Sequence, residues 1–138
     1  MIISDKVKTI FWDFDGVLIN SNAIRDKGFL EVLKDFPDNE TKQLMEFHQK
    51  NGGLSRYVKF RYFFEKIRGE TISDEEVKNW AIKFSDIMIR NLIDKSLLID
   101  KSINFVIQNY QKYDMHVVSG SDGEELRKIC KYMGINQY

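Results

Sequence analysis

The stretch that decides the fold reads Thr9-Ile10-Phe11-Trp12-Asp13-Phe14-Asp15-Gly16. Its first four residues are β-branched, apolar or aromatic, which is typical of a short strand buried on both faces. Asp13 ends this run, and Gly16 lets the backbone turn sharply after it. In extended chain Asp13 and Asp15 point to the same side, where two carboxylates repel unless a cation such as Mg²⁺ or a shared proton relieves them. The stretch predicts either a metal-binding or acid–base pair, or a simple Asx-Gly turn that ends the strand.

A second apolar run predicts a second strand about a hundred residues further on. It covers residues 115–118, Met-His-Val-Val, and ends at Ser119 and Gly120. A helix should come next, because Ser121 and Glu124 have the spacing of a capping box and Gly134 is a typical helix end. In a parallel sheet the ligands bind at the carboxyl ends of the strands, which is where Asp13 and Asp15 lie.

Between the two strands the hydrophobic period changes from two to about 3.6 residues, which predicts helices. The expected helices cover residues 23–36, 41–50, 55–68, 73–92 and 98–110, with a Ser73–Glu76 capping box at the start of the fourth. A crossover of this kind joins parallel strands, so the fold class is α/β with a helical insertion. Aromatic residues at helical spacing are assigned to the core of the insertion rather than to a base-stacking platform: Tyr57, Phe60, Phe63, Phe64, Trp80 and Phe84.

Composition excludes several classes of protein. Twenty-one basic residues balance twenty-one acidic ones in 138 residues, so we expect no nucleic-acid partner. No apolar stretch is long enough for a signal peptide or a membrane span, and a cytoplasmic protein without membrane contact is expected. Cys130, the single cysteine, fits a buried position in a reducing compartment. His48 and His116 lack partners at metal-ligand spacing and are expected at the surface and on the strand.

The two strand ends resemble two motifs of the haloacid dehalogenase (HAD) superfamily. Residues 10–18, Ile-Phe-Trp-Asp-Phe-Asp-Gly-Val-Leu, resemble motif I, and residues 117–120, Val-Val-Ser-Gly, resemble motif II. The helical insertion comes directly after motif I, as in the subfamily similar to phosphoglycolate phosphatase and β-phosphoglucomutase. The resemblance implies a partial Rossmannoid core, residues 1–20 and 96–138, that carries an α-helical cap at residues 21–95.

The resemblance also implies a chemistry and a role for each matching residue. Asp13 would be the nucleophile and Asp15 the general acid and base, while Ser119 and the Gly120 amide would hold phosphate. Mg²⁺ would bind the Asp13 carboxylate and the Asp15 backbone carbonyl. Since a halide needs no protonation to leave, the second aspartate favours phosphate esters. The expected function is a Mg²⁺-dependent phosphatase for a small organic phosphate such as a sugar phosphate; the alternatives are a phosphomutase and a non-catalytic protein that binds a phosphorylated ligand or a partner chain.

The chain departs from the superfamily pattern after motif II. The motif III lysine and the motif IV acids belong to later elements, and Lys128 and Lys131 are poor substitutes for that lysine. We therefore expect a fragment of a longer protein or a truncated chain, with impaired activity and possible self-association through an unpaired sheet edge. A smaller departure is Asn20-Ser21, where many relatives have Asp-Ser or Asp-Thr.

A cation-rich segment suggests a further contact with the substrate. Residues 50–68 hold six lysines and arginines against one acid, Glu65. We expect Arg56, and secondarily Lys59, to contact an anionic substrate. The alternative is a solvated basic face, which an Arg61–Glu65 pair at i, i+4 would suit.

Overall fold

A computed structural model describes residues 6–138, and it is a mixed α/β fold with far more helix than strand. The described strands are β1 (Thr9–Trp12) and β2 (Asp114–Val117). The described α-helices are α1 (Asn22–Val32), α2 (Asp38–Lys50), α3 (Arg56–Tyr62), α4 (Asp74–Leu92), α5 (Asp100–Asn109) and α6 (Gly123–Met133). A π-helical turn, Phe63–Ile67, continues α3, and a short 3₁₀ turn, Lys95–Leu97, precedes α5. No helix in the described residues is long and apolar enough to cross a membrane.

The two strands pair in parallel, as the crossover predicts, with Thr9 opposite Asp114 and Trp12 opposite Val117. The expectation that β1 is buried on both faces is wrong, because Phe11 is 69% exposed. One face of the sheet packs on α5, where Trp12 contacts Phe105 at 5.7 Å between ring centroids. Within residues 6–138 no helix covers the opposite face. An apolar run indicates that a strand can be buried, but it does not indicate whether other elements cover one face of the strand or both.

The helices between the strands pack around a core of aromatic rings. Phe60, Phe63, Phe64 and Phe84 are buried, as expected, whereas Tyr57 is 41% exposed and is an exception. Helices α1 and α4 approach each other closely at Gly28, where a Cβ atom would lie 2.3 Å from Met88 Cε. A side chain at residue 28 would therefore require the end of the Met88 side chain to move and would crowd the Phe84 ring.

Helix ends agree with the sequence signals in some places and depart from them in others. The Ser73–Glu76 capping box is present at the start of α4, and Gly134 ends α6 with a φ of 74°. The capping box expected from Ser121 is wrong: Asp122 caps α6 and accepts hydrogen bonds from the amides of Glu124 and Glu125. Helix α1 ends at Val32, before the predicted residue 36. Ser121 and Asp122 can both cap a helix. The Ser121 hydroxyl donates to Asp15 instead, and Asp122 is the residue that caps α6.

Candidate functional site

A cleft of about 570 Å³ lies between the carboxyl ends of the strands and helices α1 to α4. Asp13 and Asp15 line it after β1, and Ser119 and Gly120 line it after β2. The chain thus brings together at one cleft all four of the residues that the sequence predicts there. The helical wall includes Arg56, the predicted substrate contact.

The turn after β1 is fixed by the buried residue between the two aspartates. Phe14 is fully buried, and its carbonyl accepts hydrogen bonds from the amides of Leu18 and Ile19. Gly16 adopts a φ of 76°, which an L-residue with a side chain rarely does, and its amide donates to the Ile19 carbonyl. This anchoring leaves Asp13 exposed at the cleft, with Oδ1 accepting the Phe14 amide at 2.7 Å.

Asp15 is held by three side chains. Its Oδ1 accepts hydrogen bonds from Ser21 Oγ and, at 2.5 Å, from Arg25 Nε, while Oδ2 accepts from Ser121 Oγ at 3.2 Å. Ser121 lies 106 residues further along the chain, in the loop after β2. Asp15 therefore ties the first strand end both to α1 and to the second strand end. Ser21, which belongs to the Asn20-Ser21 departure from the motif, is fully buried as part of this contact.

A buried carboxylate on α6 joins two arginines of the helical wall. Glu125 is 1% exposed, and its Oε1 accepts from Arg25 Nη1 at 2.9 Å, while Oε2 accepts from Arg56 Nη1 at 2.6 Å. Glu125 is not among the residues predicted from the sequence. A signal was present, since Glu125 lies one helical turn before the buried Ile129 and so shares the apolar face of α6.

The two cations expected near the substrate differ in their partners. Arg56 donates to Glu125 and, at 2.7 Å, to Ser85 Oγ, and its guanidinium lies 4.7 Å from the centroid of the Phe84 ring. Lys59 is 3% exposed, and its hydrogen bond is a long one, 3.5 Å, to the Gly52 carbonyl. Burial lowers the pKa of Lys59, Asp26 acts to raise it, and Arg56 lowers it further. The alternative of a solvated face suits Arg61, which pairs with Glu65 at 2.9 Å.

The expectation that His48 lies at the surface is wrong. Its side chain is largely buried at the cleft, where Nε2 lies 2.7 Å from Asp26 Oδ1 and the ring packs on Phe29. His48 has no metal-ligand spacing in sequence, and its role here is a hydrogen-bond partner of Asp26. His116 is exposed on β2, consistent with the expected strand position.

The oxygen atoms at the strand ends are compatible with a hard cation. Within residues 6–138 no group of three or more His, Cys, Asp or Glu side chains could hold a metal. Asp13 Oδ1 accepts one hydrogen bond, from the Phe14 amide, which leaves a second lone pair on that oxygen, and no described residue donates to the Asp15 carbonyl oxygen. Mg²⁺ binds oxygen, keeps several waters and often takes only one or two protein carboxylates beside substrate phosphate. These two oxygens are therefore suitable ligands for Mg²⁺, which is the role that the resemblance implies for them.

Neither a protein-family model nor a curated protein matches this chain. The likeness to the haloacid dehalogenase superfamily thus rests on the residues of the two motifs alone. Any functional conclusion must come from the chemistry of the cleft.

Proposed function

We propose that this chain is a haloacid dehalogenase-like phosphohydrolase that acts on a small organic phosphate, with Mg²⁺ as cofactor. The observation that supports this most is the convergence of Asp13, Asp15, Ser119 and Gly120 on one cleft from two strand ends. The helices that form the opposite wall would correspond to the cap, and the sheet with α5 and α6 to the partial Rossmannoid core. A cleft of this volume suits a metabolite-sized ligand.

Asp13 is the proposed nucleophile. A carboxylate is already ionised and needs no base to activate it. Its Oδ2 accepts no hydrogen bond from the described residues, which leaves one oxygen available to attack phosphorus. In the first step the bond from this oxygen to phosphorus forms, the bond from phosphorus to the leaving oxygen breaks, and an aspartyl phosphate remains on Asp13.

Asp15 is the proposed proton carrier in both steps. Protonated when the substrate is bound, it would give that proton to the leaving alkoxide and then regain one from the water that attacks the aspartyl phosphate, releasing inorganic phosphate and free Asp13. Its carboxylate accepts from Ser21, Arg25 and Ser121, so proton transfer requires at least one of these donors to move. Hydrogen bonds around a catalytic group commonly rearrange when the substrate arrives.

The remaining groups would bind and orient the phosphoryl group. The Ser119 hydroxyl and the Gly120 amide would donate to its oxygens. Ser119 Oγ accepts the Ser121 amide at 3.1 Å, which fixes the oxygen and leaves the hydroxyl proton free to donate. The Asp13 carboxylate and the Asp15 carbonyl would hold Mg²⁺, which supplies positive charge between the nucleophile and the phosphate.

The test is phosphate release from an aryl phosphate by this chain, with and without Mg²⁺. We expect Mg²⁺-dependent release that Asp13→Asn abolishes and that Asp35→Asn, a change to an exposed aspartate away from the cleft, leaves intact. Equal rates for the wild type and Asp13→Asn would refute the assignment. With a sugar phosphate as substrate, an isomerised sugar phosphate in place of released phosphate would identify a phosphomutase, and binding without turnover would identify the non-catalytic alternative.

A further inference from the structure

Lys59 is a buried cation without a carboxylate partner. It projects from α3 to the cleft and is 3% exposed. No described acidic side chain lies within ion-pair distance of its ammonium group, which reaches only the Gly52 carbonyl, at 3.5 Å, and lies 5.8 Å from the centroid of the Phe29 ring. Desolvating an ammonium group without a counter-charge is unfavourable, and the lowered pKa of Lys59 reflects that burial. An anionic group of a ligand would offset this unfavourable burial by pairing with the ammonium group.

Arg56, one turn earlier on the same helix, provides the contrast. Its Nη1 already donates to Glu125 and Ser85, and its guanidinium lies against Phe84. The charge of Arg56 is therefore already balanced by the buried Glu125 carboxylate. The ammonium group of Lys59 has no carboxylate at ion-pair distance, and the carboxylate that acts on it from further away, Asp26, is hydrogen-bonded to His48.

An unpartnered donor is found on Arg25, which lines the same cleft. Arg25 uses Nε for Asp15 and Nη1 for Glu125, but its Nη2 is buried with no hydrogen-bond partner among the described residues. Buried donors in folded proteins are nearly always satisfied, so an unpaired one at a cleft points to a ligand. The residues that line the cleft thus include Lys59, a cation without an ion-pair partner, and Arg25, whose Nη2 has no acceptor among the described residues.

We propose that Lys59, assisted by Arg25 Nη2, binds a second anionic group of the substrate, separate from the phosphoryl group held at Ser119 and Gly120. The substrate class is then a small phosphate ester that also carries a carboxylate or a second phosphate. This inference rests on the proposed function for the position of the transferred phosphoryl group. It assigns to Lys59 the substrate contact first expected of Arg56, and it leaves Arg56 as the residue that fixes the wall.

The experiment uses matched ligands that differ in the second anion. Glycerol 3-phosphate and 3-phosphoglycerate differ by a hydroxymethyl group against a carboxylate, and fructose 6-phosphate and fructose 1,6-bisphosphate differ by one phosphate. Calorimetric titration into the full chain carrying Asp13→Asn, with Mg²⁺ present, measures affinity without turnover. We expect the doubly anionic member of at least one pair to bind at least about tenfold more tightly than its partner. The pair that shows the preference identifies the anion.

The same titrations with Lys59→Met added should reduce that preference to within about twofold. Lys66→Met is the matched control, because Lys66 is exposed and lies in the π-helical turn after α3. It should leave the preference for the doubly anionic ligand unchanged. Lys59→Gln serves as a second neutral variant if the first does not fold. A preference that survives the loss of Lys59, or no preference in either pair, would overturn the inference.

These outcomes are separable from those for the proposed function. A Lys59-dependent preference without Mg²⁺-dependent phosphate release by the wild type would keep the anion site and refute the phosphohydrolase. Phosphate release without such a preference would keep the enzyme and refute the anion site.

Discussion

Replacement of Glu125 by Gln tests the buried charge network that joins α6 to the helical wall. The substitution preserves the size of the side chain but removes the charge that both arginines share. It also turns one of the two accepting oxygens, which lie 2.9 Å from Arg25 Nη1 and 2.6 Å from Arg56 Nη1, into a donor. The Glu125 side chain is 0% exposed and those of Arg25 and Arg56 are 11% and 6% exposed, so water can compensate little.

Removal of one member of a buried ion pair typically costs about 3–5 kcal/mol. The free energy of unfolding of a domain of this size is about 5–15 kcal/mol. The variant should therefore still fold, but with a substantially lower stability. With a urea m-value of about 2 kcal/mol/M, the unfolding midpoint should fall by about 1.5–2.5 M. Fluorescence of Trp12 and Trp80 reports the transition.

Glu124→Gln is the matched control, because Glu124 is the preceding residue and is exposed. It should shift the midpoint by less than about 0.5 M, which corresponds to the weak interaction of a surface acid with a helix start. If the two variants unfold at the same urea concentration with the same m-value, the network does not stabilise the fold and the reasoning is refuted.

Two further predictions concern a helix start and the cysteine. Ser73→Ala removes the half of the α4 capping box that the Ser73 hydroxyl accepts from the Glu76 amide, while the Ser73 amide can still donate to the Glu76 side chain. It should cost about 1 kcal/mol, seen as a fall of about 4 °C in the Tm by circular dichroism. Ser102→Ala, whose hydroxyl makes no hydrogen bond to the described residues, should cause a smaller fall. Burial raises the pKa of the Cys130 thiol, so its reaction with a disulfide reagent at pH 8 should be at least about tenfold slower in the folded chain than in urea. Equal rates in the two conditions would contradict the burial of that thiol.

Local signals in the sequence were sufficient for the parts of the fold that depend on neighbouring residues. The positions of both strands, their parallel pairing and the Ser73 capping box could be predicted from short patterns and from the length of the crossover. The grouping of Asp13 with Ser119 was predictable as well, because parallel strands end at the same edge.

Features that depend on residues far apart in the chain were not predictable in this way. The pairing of Glu125 with Arg25 joins positions 100 residues apart, and no local pattern specifies it. The environment of His48 depends on the approach of α1, which carries Asp26. The exposed face at Phe11 depends on which elements are available to cover the sheet, a property that the apolar run itself does not encode.

The span of the contacts around Asp15 has a consequence for how the chain folds. Helix α1 packs on the distant α4 as well as on its neighbour α2, but these contacts span a shorter part of the chain than the contact of Ser121 with Asp15, which crosses 106 residues. Closing so long a loop costs more chain entropy than closing any helical hairpin within it, and non-local contacts of this kind slow folding. Order in the intervening helices shortens the effective loop. We therefore expect the cleft to be completed late in folding, after the helices that form one of its walls have packed.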